Sequence, residues 1–197
     1  MKEQQLTELI LQSLEHERGG VKVYEMAAAC AIQPDLQDEW EKYLTQTRSH
    51  VQILENLCAA FAIDPAANTP GRHVVRIIGK ALVDAMETAK AAGDAEAAEL
   101  VACECVVLAE TKDHLNWELL GKCSAKLTGP RGRLLADACD KVEDEEDEHL
   151  YHTRGWCREL WIKALGMAPV LPPPEERHHV KTAIGAARAE QASAKSR

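Results

Sequence analysis

Four stretches of this chain carry an apolar stripe with alternating spacings of four and three, and each stripe turns polar at its middle. The first reads Ile10, Leu14, Glu17, Val21, Tyr24, Ala28, Ala31, and the second Leu36, Trp40, Tyr43, Thr47, His50, Leu54, Leu57, Phe61. The third reads Leu100, Cys103, Val107, Glu110, His114, Trp117, Gly121, and the fourth Leu135, Cys139, Val142, Glu146, His149, Thr153, Trp156, Leu160. A stripe of this period is one face of a helix buried against other helices. The chain is therefore read as all-α, with no convincing strand. Breakers set the limits. Gln33-Pro34 ends the first helix near Ile32, and Asp35, with Asp38 three residues on, is expected to cap the second. Asp64-Pro65 and Thr69-Pro70-Gly71 end the second near Ala62. A shorter helix, about Arg72 to Ala92, precedes a third long helix capped by Asp94 and ending near Leu127, and a fourth from about Arg131 to Leu165.

A tight turn between helices makes them antiparallel neighbours, so the long helices pair as two hairpins. The short helix spans ~30 Å at 1.5 Å per residue, enough to carry the chain from one end of a bundle to the other. The expected architecture is a four-helix bundle over residues 1–168, built from two antiparallel hairpins joined by a long crossover that holds a fifth helix. The apolar face of that crossover (Val74, Ile77, Ile78, Ala81, Leu82, Ala85) is expected to pack on the bundle and to pair two copies as a homodimer. Residues 169–197, which open on Leu171-Pro172-Pro173-Pro174 and are rich in Ala and basic residues, are expected to form a mobile tail.

Composition narrows the function classes. With 23 Lys and Arg against 32 Asp and Glu the net charge is −9, and no basic stripe exists to bind nucleic acid. No apolar run approaches the ~20 residues that span a bilayer, and MKEQQLTELI begins a polar helix rather than a signal peptide. The seven cysteines (30, 58, 103, 105, 123, 139 and 157) form no Cys-x-x-Cys pair and read as small core residues of a reduced, cytoplasmic protein.

In an antiparallel bundle the polar midpoints share one level. Glu17, Thr47, His50, Glu110, His114, Glu146 and His149 are therefore expected to meet in the core. Three buried carboxylates without a counter-charge cost too much to stand alone. No position of the stripes holds Lys or Arg. Either the carboxyls are protonated and bonded to the histidines, or a cation lies among them. A divalent metal with carboxylate and imidazole ligands is an established use of such a core.

The segments LEHERGGVKVYE, EKYLTQTRSHVQILENL, LAETKDHLNWELLG and VEDEEDEHLYHTRGWCRELW resemble ferritin-like proteins of the di-metal carboxylate type, of an uncharacterised bacterial branch, over about residues 5–166. That pattern asks for a Glu on the first long helix, Glu-x-x-His on the second, a Glu on the third and Glu-x-x-His on the fourth. Glu17, His50, Glu110, Glu146 and His149 match it, and Thr47 departs from it where the pattern has glutamate. The resemblance implies one or two Fe or Mn ions per chain, with Zn as an option, and oxidoreductase chemistry with dioxygen or peroxide, or iron handling. The departure leaves the first half-site with Glu17 and His50 only, so the Glu110/Glu146/His149 half is expected to bind more tightly. His114 is expected to be an extra ligand or a partner of one, and Gln46 to point away from the core. The alternative is a metal-free or structurally metallated interaction module whose site is a remnant. Catalytic residues are not assigned.

Overall fold

The computed structural model describes residues 1–175; the rest of the expected tail, 176–197, lies outside the described residues. Those residues form five helices and no strand: α1 (Glu3–Cys30), α2 (Pro34–Ala60), α3 (Pro70–Ala91), α4 (Ala95–Ser124) and α5 (Gly129–Ala164). None is long and apolar enough to cross a membrane. All seven cysteines are free thiols, five of them buried.

Helix ends follow local chemistry. Asp94 caps α4 by accepting from the Ala97 amide, and Thr69 caps α3 by accepting from the Arg72 amide, with Pro70 in the first turn. The expected cap at Asp35 is corrected. Pro34 already occupies the first turn of α2, so Gln33 is the N-cap, without a side-chain cap bond. The exposed amides there are satisfied from another helix: Glu99 of α4, 1% exposed, accepts from Ile32 and Gln33 N–H at 2.8 Å each. The end of α2 turns through Ala62 at φ 54°, which lets the Ile63 amide reach back to the Cys58 carbonyl at 2.8 Å. An L-residue pays about 1–2 kcal/mol in the left-handed region, against roughly 0.5–1 kcal/mol of extra chain entropy lost by glycine. Ala62→Gly is therefore expected to raise the unfolding free energy by about 0.5–1 kcal/mol. A higher urea midpoint with unchanged slope is the readout, and a lower midpoint would refute it.

Packing partners fix the chain path. α1 packs against α2, α3 and α4, and α5 against α4 and α2, while α1 and α5, like α2 and α4, face each other diagonally and meet through side chains such as Tyr24–His149 and His50–Trp117. Ion pairs Arg18–Glu55 and Arg48–Glu25 make α1 and α2 antiparallel. Lys163–Glu96 and His114–Asp147 do the same for α4 and α5. α3 runs alongside α1, because Arg72 and Arg76 meet Glu15 near one end and Cys30 bonds the Met86 carbonyl near the other. It thus returns the chain to the far end between the two hairpins.

α3 is held by a buried charge cluster. Glu15 accepts from Arg72 Nε at 2.8 Å and Arg76 Nε at 2.6 Å, and Arg72 also donates to the carbonyls of Pro65 and Ala67. The Arg76 bond is the main reason the Glu15 carboxyl sits below its ordinary range, overriding burial. Gly19 and Gly79 let α1 and α3 approach: a Cβ built on Gly79 would stand 3.7 Å from the Gly19 Cα. A Cβ at Gly20 would stand 3.3 Å from Thr47 Cγ2, so this glycine lets α2 close on α1. The helix runs through both glycines without a bulge. Of the apolar face of α3, Leu82 packs inward while Val74, Ile77 and Ile78 remain exposed.

The core is split into two hydrophobic clusters. One gathers Tyr24, Leu36, Trp40, Tyr43, Met86, Val106 and Trp156, and the other Ile10, Leu14, Leu54, Leu57, Trp117, Leu120 and Leu135. Between them lies a polar layer at the middle of the four long helices. Past Gly166, whose positive φ ends α5, residues 167–175 come back to that helix. Pro173 is buried there and Arg158 bonds Glu175.

Candidate metal centre

Each long helix brings its mid-stripe residue to the polar layer because the four-three spacing keeps one face inward over seven turns. Glu17 from α1, His50 from α2, Glu110 from α4, and Glu146 and His149 from α5 are each 0–3% exposed. They form two groups that share one residue. Glu17, His50 and Glu146 make the first, and Glu110, Glu146 and His149 the second; in each, one ligand atom per residue lies within 4.8 Å of the others. His50 Nδ1 is 3.4 Å from Glu17 Oε1 and 3.1 Å from Glu146 Oε1. His149 Nδ1 is 3.6 Å from both Glu110 Oε2 and Glu146 Oε1. Glu146 thus stands beside Glu17 and His50 as well, so the group at the Thr47 position contains three ligand-type residues where the sequence reading counted Glu17 and His50. Thr47 itself is buried with its methyl against Gly20.

Both histidines are aimed by their outer nitrogens. His50 Nε2 donates to Glu145 Oε2 at 2.7 Å, and His149 Nε2 donates to Gln46 Oε1 at 3.0 Å. Gln46 therefore points inward, against expectation, and Glu145 belongs to the site although it is partly exposed. With the Nε2 proton committed outward, a neutral ring turns the Nδ1 lone pair toward the carboxylates. Burial, then the charge of His50, pushes His149 down to about 3, so it is neutral at ordinary pH. Its Nδ1 lone pair thus faces carboxyl oxygens, an arrangement that calls for a proton or a metal ion between them.

The remaining polar atoms repeat that demand. Glu17 Oε2, Glu110 Oε2, both oxygens of Glu146 and Nδ1 of each histidine are buried without a hydrogen bond. Unpaired buried groups of this kind are rare in a folded core. Burial raises the Glu17 carboxyl to about 8, helped by the charge of Asp113, and raises Glu110 to about 7. Glu146 is pushed well above its ordinary range by burial and the neighbouring acids. Burial would lower His50, but the Glu146 and Glu17 carboxyls beside its Nδ1 prevail and hold it up to about 12. Without a metal, His50 is the resident cation.

Aromatic side chains wall the layer. Trp117 Nε1 donates to Glu17 Oε1 at 2.8 Å, and the Tyr43 ring lies 4.3 Å from the His149 ring. Tyr24 presents its hydroxyl to Glu110. Tyr43 also anchors a second buried network: its hydroxyl donates to Glu39 Oε1 at 2.6 Å, and Trp156 Nε1 and His152 Nδ1 reach the same carboxylate at 2.5 Å each. Tyr43 and Trp156 belonged to the apolar reading of their stripes; the buried Glu39 that ties them is off-stripe on α2.

His114 is the misplaced expectation. It is partly exposed and bonds Asp147 Oδ1 at 2.8 Å, belonging to neither group. The buried face of α4 keeps Cys103, Glu110 and Trp117 of the stripe read from sequence and places Val106, Asp113 and Leu120 where that stripe had Val107, His114 and Gly121. α3 covers α4 from one side and draws Ala98, Ala102, Cys105 and Ala109 into the core, which rotates the helix. Val107, His114 and Gly121 consequently swing to the edge, and Asp113 swings in. Asp113 is a fourth carboxylate buried near Glu17, Glu110 and Glu146, with Oδ1 unpartnered. Its place one turn beyond Glu110 was the only signal that could have flagged it.

No protein-family model, curated protein or solved structure matches this chain.

Proposed function

We propose that the polar layer binds divalent first-row metal ions, Fe or Mn, as a ferritin-like di-metal centre. Glu17, His50 and Glu146 would hold one ion and Glu110, Glu146 and His149 the other, with Glu146 common to both. The observation that carries this reading is the pair of buried imidazole Nδ1 atoms aimed at carboxylate oxygens with nothing between them. Their separations of 3.1–3.6 Å run from within to slightly above the roughly 3.0–3.4 Å between neighbouring donors around an ion with ~2.1 Å bonds. Carboxylates in excess over imidazole favour Fe and Mn, and Zn also accepts such donors. Four core carboxylates, counting Asp113, balance two divalent ions when both imidazoles are neutral. The helix order supports the ferritin-like part of the reading, since two antiparallel pairs are linked by the long return along α3.

Such ions, when bound, supply electron exchange with dioxygen or peroxide, and that is the proposed chemistry. The chain's own contribution is to hold the donors and keep water out. Gln46 and Glu145 fix the imidazole orientation, Trp117 steadies Glu17, and Tyr24 and Tyr43 close the layer from the side of α1 and α2. Metal content of untagged protein, before and after anaerobic loading with Fe(II) or Mn(II), tests the reading. Two ions per chain are expected. A protein that stays metal-free after loading is instead a helical interaction module whose carboxylates are neutralised by protons and by His50.

A further inference from the structure

A cleft of about 440 Å³ opens between α4 and α5 and ends on the centre. Its lining includes Glu118, Gly121, Asp140 and Glu143 toward solvent and Trp117 and Glu146 at its inner end. Glu146 is 1% exposed and both of its oxygens lack a partner, so the cleft stops against the one residue shared by the two ligand groups. The outer charges are uneven. Glu118 is paired with Lys122, whereas Asp140 and Glu143 form no ion pair among the described residues and are exposed. Gly121 keeps the passage wide, because a Cβ built on it would meet nothing within 4 Å. The same rotation of α4 that moved His114 outward brought Gly121 to this edge. On the other side of the layer Gln46 bonds His149, Glu145 bonds His50, and Lys42 pairs with Glu148 across the face between α2 and α5.

We propose that this cleft is the entry route of the metal, in which Asp140 and Glu143 capture a hydrated divalent cation and Glu146 is the first buried ligand it meets. The inference rests on the metal-binding reading and adds direction to it. Glu118, Asp140, Glu143 and Glu146 outnumber Lys122 in the lining, and a cleft of predominantly one sign raises the local concentration of counter-ions and their entry rate by about 10–1,000-fold, an advantage that salt erases. Small cations are admitted on this account and anions are turned away. Trp117, which forms the inner wall and is bonded to Glu17, has to shift for an ion to pass.

The test is the rate of Mn(II) uptake by the whole chain, followed after rapid mixing by loss of the free ion's paramagnetic resonance signal. Asp140→Lys/Glu143→Lys is expected to slow uptake at least tenfold at low salt and to flatten its dependence on ionic strength, with the final stoichiometry unchanged. Gly121→Leu, which fills the passage without altering charge, is expected to slow uptake at all salt concentrations. Glu148→Lys makes the same change of charge per residue on the face between α2 and α5 and is expected to leave the rate within twofold. Wild-type rates in both cleft variants would overturn the route while leaving the centre in place, and slowing by Glu148→Lys alone would move the entrance to the opposite face. Absence of Mn(II) binding by the wild-type chain would overturn the centre itself and the route with it.

Discussion

Glu146→Gln is expected to empty both ion positions together, whereas Glu17→Gln or Glu110→Gln is expected to cost one ion of two. The difference follows from geometry. Glu146 is the only residue common to the two donor groups, and an amide offers one neutral oxygen where the carboxylate offers two charged ones. The stability consequence differs between the two states. A bound ion stabilises the fold by about 2.7 kcal/mol at a free concentration one hundred times its Kd. Glu146→Gln removes that increment. In the metal-free chain burial holds the Glu146 carboxyl well above its ordinary range, so the amide stands in for a neutral carboxyl and the variant is expected to be about as stable as the wild type, unfolding at the same temperature with or without Fe(II) or Mn(II). Calorimetric scans with and without metal read both statements. A metal-dependent rise in the unfolding temperature that survived in Glu146→Gln would refute the shared-ligand arrangement.

The metal-free protein is expected to lose stability as pH rises from 6.5 to 8, while metal reverses the loss. Glu17 and Glu110 are held up by burial to about 8 and about 7, above the 4.5 they have when exposed. Over this window the folded chain retains protons on both groups that the unfolded chain has already released. Stability gained from a raised carboxyl is full below its unfolded value and is lost as pH climbs through the folded one. At about 1.4 kcal/mol per pH unit and bound proton, the two groups together account for about 2 kcal/mol between pH 6.5 and 8. His50, held up to about 12, acts in the same direction, because its folded form stays protonated where the unfolded imidazole has lost its proton. His149, pushed down to about 3, is neutral in both states over this window and contributes nothing. Metal ions take the place of these protons, so their stabilising effect grows with pH. Unfolding midpoints measured at pH 6.5 and 8, with and without Mn(II), should therefore diverge. A metal-free midpoint that rises over the same interval would contradict the buried charge layer.

The two effects rest on residues that differ in how openly the sequence announced them. Glu17, His50, Glu110, Glu146 and His149 lie on four-three stripes, where a polar residue between apolar neighbours is conspicuous. Glu145 and Gln46 lie one position off those stripes, and their role depends on how far a side chain reaches across to the next helix. Asp113 and His114 are adjacent on α4, and both stand close enough to the stripe to be its continuation from Glu110. The choice between them was made by the lateral packing of α4, which brings Asp113 in and His114 to the edge while Glu110 and Trp117 stay buried. The Glu15–Arg72–Arg76 cluster and the Glu99 bonds to the α1–α2 turn were likewise hidden, because each joins residues more than fifty positions apart.

Sequence alone determined that the chain is helical, where its five helices begin and end to within a few residues, and that five ligand-type residues share one level. Period, proline, glycine and capping chemistry are local, and a helix carries its own record of which face is apolar. Only the tertiary structure decided that Glu146 serves both groups, that Asp113 replaces His114 at the core, and that a cleft edged by Gly121 leads to the centre. Those outcomes depend on the rotation of each helix about its own axis. That rotation is fixed by the sum of contacts with every neighbour, and no single stripe contains that sum.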